Sequence, residues 1–192
     1  MEKPEELKLT VQRAFYILKH FESIDADSRN LFLKNGYSEL EIAKAIATIG
    51  SKFLNTFCSN PFQLSIIINN SNPVESISQS NGNCIFIYSF HESDGIGTDN
   101  LINLNNLLPL ELNNLKVETR DNFKIKIVEK ARFVKTNQLV VVASQENNEI
   151  ITAFPGQYAP PFPIHLTDPK SKIASERFWE EHAFIEINKI SN

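Results

Sequence analysis

Cysteine, glycine and long apolar runs are all scarce in this sequence. It has two cysteines, six glycines and one tryptophan among 192 residues. Two cysteines make no disulfide framework in a chain this long. Cys58 and Cys84 each have apolar neighbours, so buried free thiols are expected, with a single pairing between them as the alternative. Six Gly and nine Pro exclude collagen-like or low-complexity character, and a hydrophobic content of 42% excludes wholesale disorder. No apolar stretch approaches the ~18 residues that cross a bilayer, so no membrane partner is expected. The acidic start, residues 1–6, lacks the apolar core of a secretory signal, which makes cytoplasmic residence the expectation, with later export by a dedicated apparatus still open.

Basic charge is absent from one whole stretch. Between residues 61 and 115 there is no Lys or Arg, while Glu75, Glu92, Asp94, Asp99 and Glu111 are acidic. The next twenty positions hold Lys116, Arg120, Lys124, Lys126, Lys130, Arg132 and Lys135. A net charge of −4 argues against coating nucleic acid by bulk charge, so this local cluster is what could meet a phosphate.

Periodicity divides the chain into helices first and strands second. Leu7, Val11, Ala14, Phe15 and Leu18 draw one helical stripe. Asn35-Gly36 is a stop, and Ser38 with Glu41 forms a capping-box pattern that starts a second helix. Its apolar period runs on through Phe53 and Phe57 until Asn60-Pro61, expected to break it. Residues 62–68 and 84–90 are short and β-branched or aromatic and read as strands, with a polar loop between them. Phe123, Ile125 and Ile127 alternate with Lys124 and Lys126, as in a half-buried strand. Residues 138–144 and 149–154 flank a four-residue polar turn and read as a hairpin. Prolines at 155, 160, 161 and 163 oppose regular structure, and a last helix is expected over 173–187. The expected fold is α+β: an N-terminal helical region, 1–60, packed on an antiparallel sheet domain, 61–192, the two forming one compact unit.

Three segments hold residues that could carry chemistry. His91 follows a strand and opens the Gly-containing loop 91–100, where an imidazole suits proton transfer; a plain polar turn is the alternative. His91, Asp94 and Asp99 match no standard metal spacing, so no metal and no cofactor are expected. Lys124 and Lys126 project from one strand face, near Arg132, and could hold a phosphodiester; lysines that keep a sheet edge soluble are the alternative. The strand Ile150-Ile151-Thr152-Ala153-Phe154-Pro155 ends in an aromatic-proline loop, where Thr152 could contact a phosphate oxygen, Tyr158 could stack on a base, and His165 could carry a second proton.

A strand ending in His, basic strands and a final Ile-Ile-Thr-Ala-Phe-Pro strand together resemble the barnase–EndoU–colicin–RelE superfamily of endoribonuclease toxins, over about residues 84–165. The resemblance implies metal-independent RNA cleavage through the substrate's own 2′-hydroxyl. His91 would be acid or base, paired with His165 or Glu92. Arg132 would stabilise the phosphate, Thr152 would touch the transition state, and Lys124, Lys126 and Tyr158 would hold RNA. An inhibitor or immunity protein would then be the natural protein partner. The competing expectation is a non-enzymatic interaction protein, immunity-like or a phage accessory. That reading accounts for the acidity, and the aromatics Phe15, Phe21, Phe32, Phe53 and Phe57 would supply either its interface or simply the core.

Overall fold

The computed structural model describes residues 3–46 and 50–186. In chain order its helices are α1 (Val11–Ile17), α2 (Ala26–Lys34), α3 (Glu39–Ala45), α4 (Pro61–Asn69), α5 (Pro109–Leu112) and α6 (Pro169–Glu181). Its strands are β1 (Lys52–Phe53), β2 (Glu75–Ser78), β3 (Asn83–Ser89), β4 (Gly97–Asp99), β5 (Leu101–Asn103), β6 (Leu115–Arg120), β7 (Phe123–Glu129), β8 (Val134–Thr136), β9 (Gln138–Ser144), β10 (Ile150–Pro155) and β11 (His182–Glu186). The fold is α+β. N-terminal helices pack on mostly antiparallel strands, with β11 parallel to β7, and α6 precedes β11. No helix among the described residues is long and apolar enough to cross a membrane.

Two compact units share the chain: Met1–Thr98 with Lys135–Gln157, and Asp99–Val134 with Tyr158–Asn192. In the first, the sheet order is β10-β9-β3-β2, and β1, β4 and β8 form a smaller sheet. Cys84, Phe86 and Tyr88 on β3 and Leu139, Val141 and Ala143 on β9 point to one face, as alternation requires. They meet Ile17, Phe21, Leu64 and Ile68 from the helical side. Phe21, Phe32 and Phe53 are fully buried, so the N-terminal aromatics are core. Helix starts are set by side-chain caps: Thr10 accepts from Arg13 N, Asp25 from Ser28 N, and Ser38 and Glu41 form the reciprocal pair expected from their spacing.

Several elements depart from the sequence reading. Residues 62–68 are helical, not a strand. Asn60 accepts from Gln63 N at 2.8 Å and Pro61 occupies the first turn, so Asn60-Pro61 starts α4 instead of stopping its predecessor. The second helix ends at Ala45 instead of running to Asn60. Lys52 and Phe53 are drawn into a pairing with Thr98 and Gly97 on β4, a tertiary contact that overrides the local period. The part of that expected helix at residues 47–49 lies outside the described residues. The polar stretch before β3 contains β2, paired along its length with β3. The last helix stops at Glu181, and Phe184 belongs to β11; Ile187 lies outside the described residues.

The second unit is built on the sheet β5-β11-β7-β6. Here β11 runs parallel to β7 and antiparallel to β5. Ile102, Val128, Ala183 and Ile185 form its core, with Leu104, Leu107 and Leu115 against them. The β6–β7 hairpin turns on Asp121 and Asn122, both at positive φ, the pair of left-handed residues a two-residue turn of this twist requires.

Candidate functional site

The residues singled out from sequence divide between the two units. His91 and Thr152 fall in the first; Lys124, Lys126, Arg132, Tyr158 and His165 fall in the second.

In the first unit, strand register separates the two candidates. Thr152 on β10 stands opposite Val142 on β9, and Val142 stands opposite Ile85 on β3. β3 continues four residues past Ile85 to Ser89, about 13 Å of strand, and His91 lies beyond that. Thr152 is also two strands away from β3, so one phosphate cannot touch both side chains. His91 is exposed. Its loop is held by main-chain and amide bonds: Phe90 N donates to Asn137 O at 2.9 Å, and Asn137 Nδ2 donates to Glu92 O at 3.1 Å. Gly95 has φ +82°, and a Cβ there would stand 2.9 Å from Thr136 O, so this position needs glycine both for its conformation and for the close approach.

In the second unit two of the candidate cations, Lys126 and Arg132, already serve the fold. Lys126 donates to Glu180 O at 2.5 Å and Trp179 O at 3.4 Å, placing a positive charge on the C-terminal carbonyls of α6. Lys124 is exposed on the same face of β7 as Lys126. The Arg132 guanidinium is paired with the Glu111 carboxylate and donates to Asn106 O at 2.9 Å. Glu111 is almost out of solvent contact, beneath a thin cover. Its oxygens accept from Leu108 N at 2.8 Å and Arg132 N at 3.1 Å as well as from the guanidinium. Burial opposes its ionisation. The hydrogen bonds from Leu108 and Arg132, with the guanidinium charge, outweigh that burial and hold its carboxyl below the usual range.

His165 Nε2 lies 3.9 Å from Asp121 Oδ2, at the hairpin-turn end of β7. Arg132 follows the opposite end, and the strand between, Phe123–Glu129, spans about 20 Å. His165 and Arg132 therefore stand at opposite ends of β7. Tyr158 is half-buried at the start of the unit's second segment.

Asp94, exposed, lies 3.8 Å from Lys135, and the Asp99 carboxylate accepts from Leu101 N at 3.0 Å. Among the described residues, no group of three or more His, Cys, Asp or Glu side chains is arranged to hold a metal ion.

Sequence reasoning did not single out the surroundings of Glu111. Leu110 is 77% exposed and Phe133 60%, and Leu108 and Leu112 are about half exposed. The bond from Arg132 N to Glu111 ties the backbone just before Phe133 to α5, so these exposed apolar residues lie on the two segments that the ion pair joins. A local signal existed: Pro109 at the helix start with Glu111 two positions on marks a capped turn, and three leucines around one acid cannot all turn inward on a single turn of helix.

No protein-family model matches this sequence, and no curated protein matches it either. Among solved structures the chain is similar to a conserved hypothetical protein from Toxoplasma gondii ME49, at 11% identity, covering 69% of this chain and 86% of that one with a TM-score of 0.46.

Proposed function

We propose that this chain acts by binding another protein and not by cleaving RNA. The observation that carries the reading is the exposure of Leu108, Leu110, Leu112 and Phe133 on the two segments joined by the Glu111–Arg132 pair. Large apolar side chains gathered on one surface mark a binding face more often than isolated ones do. The ion pair between the two segments would hold α5 and the loop at Arg132 in fixed relation, so the segments bearing the four side chains meet a partner already ordered. An exposed Phe with an Arg beside it is a composition enriched in interfaces over the rest of a protein surface. The commitments of Arg132 and Lys126 to the fold, and the spacing of His91 from Thr152, weigh against the nuclease alternative.

The test has two arms. Purified full-length chain is incubated with total RNA and tRNA in EDTA, wild type beside His91→Ala. Neither is expected to cleave. RNA cleavage by wild type that disappears in His91→Ala would overturn the reading. In the second arm, a photoreactive phenylalanine analogue at position 110, introduced in the cell of origin, is expected to give a discrete adduct that Phe133→Glu abolishes. An analogue at Lys124 is expected to give none. Equal labelling from both positions would also overturn it.

A further inference from the structure

We infer that two copies of this chain pair through the open edge of β6, antiparallel, in the register that sets Val117 opposite Val117. The inference goes beyond partner binding at α5 and uses different residues.

Among the described residues β6 is the terminal strand of its sheet, and its residues from Lys116 to Arg120 are exposed, with Val117 at 63%. The direction of its backbone groups follows from one bond. Glu129 N donates to Asn114 O at 3.1 Å, so Asn114 and, by alternation, Lys116, Glu118 and Arg120 direct their N–H and C=O groups towards β7. The N–H and C=O groups of Leu115, Val117 and Thr119 then point outward, along the free edge. An antiparallel copy can bond to these three residues in only a few registers, each two residues from the next.

Charge selects among those registers. With Val117 opposite Val117, Lys116 of each copy faces Glu118 of the other, twice over, and Leu115 faces Thr119. A shift of two residues one way sets Glu118 against Glu118 and Lys116 against Arg120. A shift the other way sets Lys116 against Lys116. Of these three registers, which pair the most residues of β6, only the first is complementary. An edge carrying charges of one sign repels its own copy, and this is how many sheets stay monomeric. β6 alternates the sign instead, at a spacing of two, and so becomes self-complementary. In the chosen register, the Lys116–Glu118 contacts fall at the close, non-hydrogen-bonded positions of the ladder, where side chains interact most strongly. Within one chain Lys116 is paired with Glu129, and Arg120 lies 3.7 Å from Glu118. These pairs are exposed and can be shared across the new edge. A single-strand contact is small, so association is expected at concentrations on the order of tens to hundreds of micromolar.

Sedimentation equilibrium of the purified full chain, with a cysteine pair to read the register, tests this. Val117→Cys would bring two sulfurs together across a hydrogen-bonded pair with Cα atoms about 5.5 Å apart, within disulfide reach. Glu118→Cys would leave its two copies about 8 Å apart, beyond it. Cys58 and Cys84 are buried and stay silent. Mild oxidation is expected to give covalent dimer from Val117→Cys at least tenfold faster than from Glu118→Cys, and Leu110→Glu is expected to leave that rate unchanged. Lys116→Glu and Glu118→Lys are each expected to weaken the dimer at least threefold, and the double swap to restore it, circular dichroism confirming that each variant is folded. Wild type that stays monomeric at millimolar concentration, equal cross-linking at 117 and 118, loss of cross-linking in Leu110→Glu, or a double swap that fails to restore association would each overturn the inference. None of these outcomes bears on the partner proposed for α5.

Discussion

His20 offers the sharpest physical test of the first unit. The ring is 4% exposed, and its Nδ1 lies 2.9 Å from Ser51 O; a carbonyl only accepts, so Nδ1 carries the proton. Burial disfavours the imidazolium, the Ser51 carbonyl partly offsets this, and the neighbouring Lys19 charge adds to the burial, so the ring titrates at about 4 instead of 6.5. A proton then binds the unfolded chain more readily than the folded one, and stability rises with pH between these two values. The contribution is whole above pH 6.5 and is lost as pH falls towards 4. With each tenfold in proton affinity worth about 1.4 kcal/mol, the loss is about 2 kcal/mol at pH 5 and about 3 kcal/mol below pH 4. Urea unfolding at pH 7 and pH 5 measures it, wild type beside His20→Asn, whose amide keeps a donor for Ser51 and does not titrate. Wild type should lose about 2 kcal/mol more than the variant over that interval, since the carboxylates common to both cancel. Equal losses, or a His20 ring that titrates near 6.5 by NMR, would refute the argument.

Four further outcomes are expected. Arg132→Met strands the Glu111 carboxylate on two backbone N–H groups and should cost about 1–3 kcal/mol in urea unfolding. The depressed Glu111 carboxyl stabilises the fold at neutral pH and loses that contribution as pH falls through its folded value, so without Arg132 acid unfolding should begin at a higher pH. Gly97→Ala would set a Cβ 2.6 Å from Pro155 Cβ and against the Lys52 carbonyl, so the β1–β4 pairing must shift and thermal unfolding should drop by the equivalent of about 1–3 kcal/mol. Burial pushes the Cys58 thiol up to about 12, so in the native chain it should react with iodoacetamide at least a hundredfold more slowly than in urea, as timed mass spectrometry would show.

What could be read from the amino acids was the local part of the fold. Ser38 with Glu41 announced a helix start, and the β-branched and aromatic run of β3, the alternation of β7 and the polar turn between β9 and β10 announced strands, because each signal lies within a few neighbouring residues. The sequence of α4 points the wrong way because Ile66, Ile67 and Ile68 favour strands while Asn60-Pro61 marks a helix end as readily as a helix start. The exposure of Ile66 beside buried Leu64 and Ile68 is the helical signature that decides it. β11 was hidden because its place beside β7 is a parallel pairing over more than fifty residues of chain. The candidate site suffered most. Residue types suited to phosphate chemistry could be picked out, but whether His91 meets Thr152 depends on register across β3, β9 and β10, and whether Arg132 is available depends on Glu111, twenty-one residues away.

The position of β11 also governs how this protein comes off the ribosome. Every strand of the first unit has been made once Pro155 is synthesised, whereas the second unit's sheet waits for the strand that lies between β5 and β7. Until His182–Glu186 emerges, the β6–β7 hairpin and β5 each present an unpaired edge, and Ile102 and Val128 lack the Ala183 and Ile185 that cover them. The nascent chain therefore carries a complete set of first-unit strands beside unpaired strand edges for the time taken to add the thirty or so residues from Pro155 to Glu186, a few seconds at about 5–20 residues per second. A premature stop before β11 would make that transient state permanent, leaving a product that aggregates through the second unit while the first remains folded.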